Sequence, residues 1–289
     1  MSRCRNIGLI ILTLFASSGL PAQIETPLLS PRAKIEQEVG FTKVNINYSR
    51  PSMRQRIIFD NVVPYGKLWR TGANECTTMA FSEDVRIGGE YVPAGKYSLL
   101  TIPKSDKWVV ILNLDTTLIG TDGYVSDQDI VRIDVKSEIL HDHVETFTID
   151  IGEVTQSTAN IRILWENTIV KFLVSTDADR KVMKQIEASM RDPITKVGQM
   201  YYTAANYFFN THRDMDQALE WVNKSLEING NQYWVLRLKS QILAEKSDFR
   251  AAIRVARLSM DLAEKDQQEG FVQMNKKAIE QWQKMHPHE

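Results

Sequence analysis

Five cationic side chains fall within the stretch 48–74, YSRPSMRQRIIFDNVVPYGKLWRTGAN: Arg50, Arg54, Arg56, Lys67 and Arg70. A guanidinium is a planar fork that matches carboxylate, phosphate or sulfate, so several of them held on rigid turns make a site for an anionic ligand. The same stretch supplies the turns, because Pro51, Pro64, Gly66 and Gly72 interrupt strand and helix alike and fold the chain back. Arg50, Arg54, Lys67 and Arg70 are therefore expected to converge with Asn74 and Glu75 on one concave surface. Such a set can bind a small anionic or polar ligand. It can also be an enzyme of hydrolase or lyase type, with Glu75 as general acid or base and Arg70, Arg54 or Arg50 stabilising charge on the reacting group. Binding is favoured, because only Glu75 within the motif could carry a proton and no supporting residue stands beside it. The structural alternative is an arginine-rich corner whose charges pair with Asp60, Glu75 and Asp84.

Other chemistry-bearing residues are weaker. His141, His143 and Glu145 are spaced by two and would share one face of an extended segment, a donor set that zinc accepts, but they sit at an expected loop and strand start where solvated histidines are common. Asp115, Asp122, Asp127 and Asp129 lack the spacing and fixed glycine of a calcium loop and read as solvated loop acids. No metal is expected. Phosphate-cradling glycine loops, nucleophile elbows and zinc-protease helices have no counterpart in the sequence, so no cofactor is expected either. Cys76 has no adjacent histidine or helix start to lower its pKa and reads as a small core residue.

These residues belong to the first of two halves, behind a leader. Residues 1–22 carry Arg3 and Arg5, then the apolar run Ile7 to Phe15, then small residues ending Leu-Pro-Ala, which is the pattern of a secretory signal peptide and too short for a permanent span. Export to the periplasm or beyond, as a soluble chain starting near Gln23, is the expectation. Cys4 precedes the apolar run and cannot be a lipid-bearing cysteine, and no later segment reaches the length of a membrane span. The 35 basic and 36 acidic residues give a net charge of −1, and loss of Arg3 and Arg5 makes it −3, which argues against a nucleic-acid partner. Only Cys76 outlasts the leader, so no internal disulfide forms and packing must supply stability.

From Thr42 to about Ser175 the apolar pattern has period two. Val44, Ile46 and Tyr48 alternate with polar neighbours, Gly88-Gly89 and Pro93-Ala94-Gly95 mark turns, and further strands are expected at Trp108 to Leu112, Ile130 to Val135, Val144 to Ile151, Asn160 to Trp165 and Ile169 to Val174. Short strands with turn chemistry and no intervening helices predict an all-β antiparallel sandwich or barrel. The runs SPRAKIEQEVGFTKVNINYSRPSMRQR, VPYGKLWRTGANECTT, VPAGKYSLLTIP and WVVILN resemble the secreted bacterial family catalogued as domain of unknown function 2911, over roughly 30–174. That resemblance implies export in Gram-negative bacteria related to Bacteroides, and it brings no agreed activity. It also implies Ala where this chain has Cys76 and Gly where it has Gln55, which weakens any catalytic role for Cys76.

The second half, 177–289, changes period. After the helix-start signal Ser175-Thr176-Asp177, apolar residues fall at helical spacing, and a shift of thirty-four positions lays Tyr202 on Leu236, Asp214 on Asp248, Ala218 on Ala252 and Leu226 on Met260. This register resembles the tetratricopeptide repeat. Two repeats need covers, and Lys181 to Met190 and the amphipathic Phe271 to Met285 are expected to provide them. The chain thus reads as an exported binding or interaction module: an all-β domain with a candidate ligand site, then helical repeats suited to a protein or peptide partner.

Overall fold

The structure, a computed structural model, describes residues 26–191 and 197–285, and the leader expected at 1–22 lies outside them. The chain divides into two compact units, one ending at Thr176 and the other beginning at Asp177.

The first unit is an antiparallel sheet of nine strands: β1 (Arg32–Val39), β2 (Thr42–Ser49), β3 (Thr77–Phe81), β4 (Val85–Ile87), β5 (Glu90–Val92), β6 (Gly95–Ile102), β7 (Lys107–Asn113), β8 (Asp129–Gly152) and β9 (Thr158–Thr176). Their order is β1-β2-β3-β6-β7-β8-β9-β4-β5. The ladder also returns on itself. Immediately after β2, the Met53 amide donates to Glu145 O and the Phe147 amide to Pro51 O, both at 2.9 Å, so the far half of β8 joins the end of β2 and closes a barrel-like ring through β3, β6 and β7. The Tyr48 hydroxyl reinforces the seam, donating to Ile149 O and accepting from the Ile149 amide at 3.0 and 3.1 Å.

Two of the strands are longer than the sequence suggests. The segments expected as separate strands at Ile130 to Val135 and Val144 to Ile151 are one strand of 24 residues, and those at Asn160 to Trp165 and Ile169 to Val174 are one of 19. The segment 136–143, KSEILHDH, contains neither Gly nor Pro, so it bends through register shifts after Ile139 and Val144 instead of turning. Glu166, at φ 52°, makes the matching irregularity on β9. Strand β1 lies ahead of the expected strand region: its outward Lys34 and Glu36 alternate with only partly buried Ala33 and Ile35, a faint signal at a sheet edge.

Alternate residues of the strands build the main core. Ile46, Met79, Leu99, Val110, Phe147 and Ile161 are fully excluded from solvent, and Trp108 and Trp165 are 1 % and 2 % exposed. Among its described residues the second unit holds six helices: α1 (Ala178–Arg191), α2 (Gly198–Asn210), α3 (Met215–Asn229), α4 (Tyr233–Glu245), α5 (Phe249–Lys265) and α6 (Glu269–Met285). Asp214 caps α3 and Asp248 caps α5, thirty-four positions apart, each side chain accepting backbone amides of the first turn. Met183, Ile186 and Met190 of α1 pack on the α2–α3 core, while Ile279 and Trp282 of α6 are buried beside Ala252 and Ala256 of α5. Among the described residues no helix is long and apolar enough to cross a membrane.

Candidate functional site

The cationic segment between β2 and β3 is held by its backbone. Arg54 and Gln55 have φ of 51° and 62° and sit at the centre of a turn closed by Arg56 N donating to Met53 O at 3.1 Å. Two left-handed residues in the middle of a turn are the signature of the type I′ class. Glu145 accepts the Arg54 amide at 2.9 Å, and Glu166 accepts the Ile58 amide at 2.7 Å, so carboxylates of β8 and β9 anchor the loop through its peptide groups. Trp69 exchanges two backbone bonds with Thr101, 2.7 and 2.9 Å long, and thereby extends β6. At Gly72, φ is 152° and an added Cβ would stand 3.1 Å from Ser49 O, which explains the glycine.

The expected convergence on one surface does not occur. Arg50 donates to Phe147 O at 3.1 Å and to Thr148 Oγ1 at 2.8 Å, and so serves the β2–β8 seam. Arg54 reaches Leu29 O at 3.1 Å. Lys67 and Arg70 line a cavity of about 370 Å³. Glu75 lines a different one of about 590 Å³ and pairs there with Arg32. Asn74 stands between the two, its amide donating to Ser30 O at 3.2 Å and Ser49 Oγ at 3.3 Å; Ser30 lines the smaller cavity and Ser49 the larger. Between Arg70 and Glu75 the backbone bends at Thr71, Gly72 and Asn74, all with positive φ. A catalytic pairing of Glu75 with Arg70 would need one shared cavity, and they line two.

The arginine-rich corner does not form as drawn either. Arg56 donates to Met53 O at 2.8 Å and to Ser52 O at 2.9 Å, while Asp84 accepts from the Tyr91 hydroxyl and the Ala94 amide. The loop arginines Arg50, Arg54 and Arg56 meet carbonyl and hydroxyl oxygens instead.

The smaller cavity combines charge with apolar surface. Arg56, Lys67 and Arg70 line it with no acidic residue, over Trp69 and Trp165. Arg70 is half-buried, its Nε is enclosed with no acceptor among the described residues, and its Nη1 lies so close to Gly120 that an added Cβ there would be 3.2 Å away. Its backbone is fixed, since Arg70 O accepts the Thr77 amide at 3.2 Å. The larger cavity is polar, with Arg32, Lys34, Lys96, Asn47 and Thr78 around Glu75.

Cys76 is 6 % exposed in a small cluster with Leu100, Ile111 and Leu118. Burial pushes its thiol up to about 11, with the Arg70 charge acting in the opposite direction, so it is protonated at neutral pH. His143 bonds Asn167 Oδ1 at 3.1 Å and Glu145 holds the Arg54 amide, and among the described residues no three His, Cys, Asp or Glu side chains are gathered as metal ligands. Asp129 is not a solvated acid: its side chain is 9 % exposed and accepts from Asn113, Tyr124 and Arg132, organising the loop after β7.

Sequence reasoning missed Arg32, Lys34 and Lys96, and the partnership of Trp69 with Trp165. Arg32 and Lys34 share one face of β1 by their spacing of two, a legible signal once β1 is recognised. Nothing in the sequence links Trp69 to Trp165.

Neither a curated protein nor a solved structure matches the chain. The family described as protein of unknown function DUF2911 matches residues 30–174, half of the chain and nearly the whole β-sheet unit. By that match the chain belongs to this family.

Proposed function

We propose that the β unit is a binding module for a small anionic ligand, held in the cavity of Arg56, Lys67 and Arg70. The observation that carries this reading is the half-buried Arg70 guanidinium, which lines the cavity with no carboxylate partner among the described residues. A half-buried charge without a counter-ion carries a desolvation cost, and a ligand oxyanion at the accessible guanidinium nitrogens would offset it. Lys67 and Arg56 add positive potential where the net charge of the chain is slightly negative.

In this reading the protein is exported to the periplasm or cell exterior. The helical unit is a tetratricopeptide-like array that holds a peptide or protein partner, and the two units fold as separate domains. The repeat spacing of α2–α3 and α4–α5 and the covering helices α1 and α6 support that assignment.

The test is a thermal-shift comparison of wild type and Arg70→Ala across anionic sugars, carboxylates, sulfate and phosphates. Anions should stabilise the wild type, and Arg70→Ala should weaken binding by about 1.5–3 kcal/mol with little loss of fold. A wild type that no anion stabilises, together with a large drop in melting temperature for the variant, would make Arg70 a scaffold residue and end the proposal.

A further inference from the structure

Resting on the anion-binding reading, we infer that the ligand of this cavity carries its anionic group on an apolar body: an aryl- or acyl-linked carboxylate, sulfate or phosphate. A bare oxyanion does not fit the rest of the lining. Val62, Val63, Pro64, Leu68, Trp69 and Trp165 make up much of the wall, and about 370 Å³ is several times the space that one oxyanion fills. Cavities of this size and composition hold small organic molecules, with a few polar groups fixing orientation.

The rim points the same way. Val62, itself in the lining, is 42 % exposed, an aliphatic side chain held partly in water. Aliphatic side chains held in water around a cationic cavity gain when an apolar group covers them. The larger cavity supplies the contrast. It has as many cations, Arg32, Lys34 and Lys96, but Asn47, Ser49 and Thr78 line it and Arg32 already meets Glu75. Both cavities are cationic, but Glu75 offsets one charge of the larger one and the smaller one has no acid in its lining. The smaller cavity therefore offers uncompensated cations together with aliphatic and tryptophan surface, which an amphiphilic anion satisfies at once.

Isothermal titration of the full chain with matched probes tests this: acetate and inorganic sulfate as bodiless anions, phenylacetate and octanoate as aryl and acyl anions, and 2-phenylethanol as a neutral body. Phenylacetate or octanoate should bind about ten-fold or more tightly than acetate and sulfate, since each buried methylene is worth about four-fold. The neutral alcohol should bind at least about ten-fold more weakly than phenylacetate. Lys67→Ala, at an exposed position that leaves the fold intact, should weaken both organic anions, and Val62→Ser should weaken them while leaving acetate unchanged. Which of the two organic anions is preferred identifies an aryl or an acyl ligand. Equal affinity for acetate, sulfate and the organic anions would overturn the inference while keeping the anion site. Binding of the alcohol as strong as that of phenylacetate, binding of the organic anions that survives both Lys67→Ala and Val62→Ser, or no binding at all, would overturn both.

Discussion

Trp69 and Trp165 lie face to face, their ring centroids 5.9 Å apart and their planes 17° from parallel. One belongs to the cationic loop and the other to β9, so the stack fastens the loop to the barrel wall at the floor of the candidate cavity. Phe147 meets both rings edge-on at 5.2 and 5.4 Å, which leaves little freedom for either. Trp165→Ala should therefore destabilise the β unit by about 3–5 kcal/mol, and Trp165→Phe by less. Urea unfolding followed by circular dichroism measures this. A loss under 1 kcal/mol for the alanine variant would show that the stack does not hold the loop.

The type I′ turn carries a removable strain. Gln55, at φ 62° and exposed, occupies a backbone region that suits glycine. Gln55→Gly should stabilise the protein by about 0.5–1 kcal/mol, the left-handed penalty outweighing the added freedom of the unfolded chain. A lower melting temperature for the variant would contradict it.

Burial of Cys76 makes it inert. With its thiol raised to about 11 from 9.0, the native thiolate fraction at pH 8 is about a hundred-fold below that of the unfolded chain, and alkylation by iodoacetamide should slow at least in proportion. The sign of the linkage follows. A raised pKa in the fold means that this contribution to stability is present below pH 9.0 and is lost as pH climbs towards about 11. Cys76→Ala should flatten that part of the stability profile, measured by urea unfolding at pH 8 to 11 on a chain begun at Gln23.

In the helical unit, Asp179 of α1 accepts the Tyr207 hydroxyl at 2.6 Å and Arg213 Nη2 at 2.6 Å, tying α1 to α2 and to the turn before α3. The Tyr207 bond, then the Arg213 bond and charge, lower the Asp179 carboxyl below 3.8, and burial followed by the Asp179 bond pushes Tyr207 up to about 12. Because the Asp179 pKa is depressed in the fold, its stabilisation is present above pH 3.8 and lost as pH falls through the folded value. The side chain is 42 % exposed, so Asp179→Asn should cost only about 0.5–1 kcal/mol at neutral pH and less in acid. Paired acid and neutral unfolding curves check this, and an equal loss at both pH values would assign the effect to packing.

Local rules read along the sequence identify much of this protein. Alternation at Val44, Ile46 and Tyr48 makes β2, the spacing of Ala218, Val222 and Leu226 makes α3, and the Asp214 and Asp248 caps recur at the repeat period, because strand and helix pitch act over a few residues. Proline and glycine likewise mark the irregular loop that carries Lys67 and Arg70. The destination of each cation is different in kind. Arg50 finds its acceptors at Phe147 and Thr148, 97 and 98 positions away, and Trp69 finds Trp165, partners that exist only because β8 bends through its bulges and returns to β2. Sequence by itself determined the elements, the turns and the presence of a cationic loop. Tertiary structure alone decided that Arg50 and Arg54 brace the backbone, that Asn74 parts Glu75 from Arg70, and that two tryptophans floor the cavity, because a side chain's partners are set by which distant backbone the closed sheet brings within hydrogen-bonding reach.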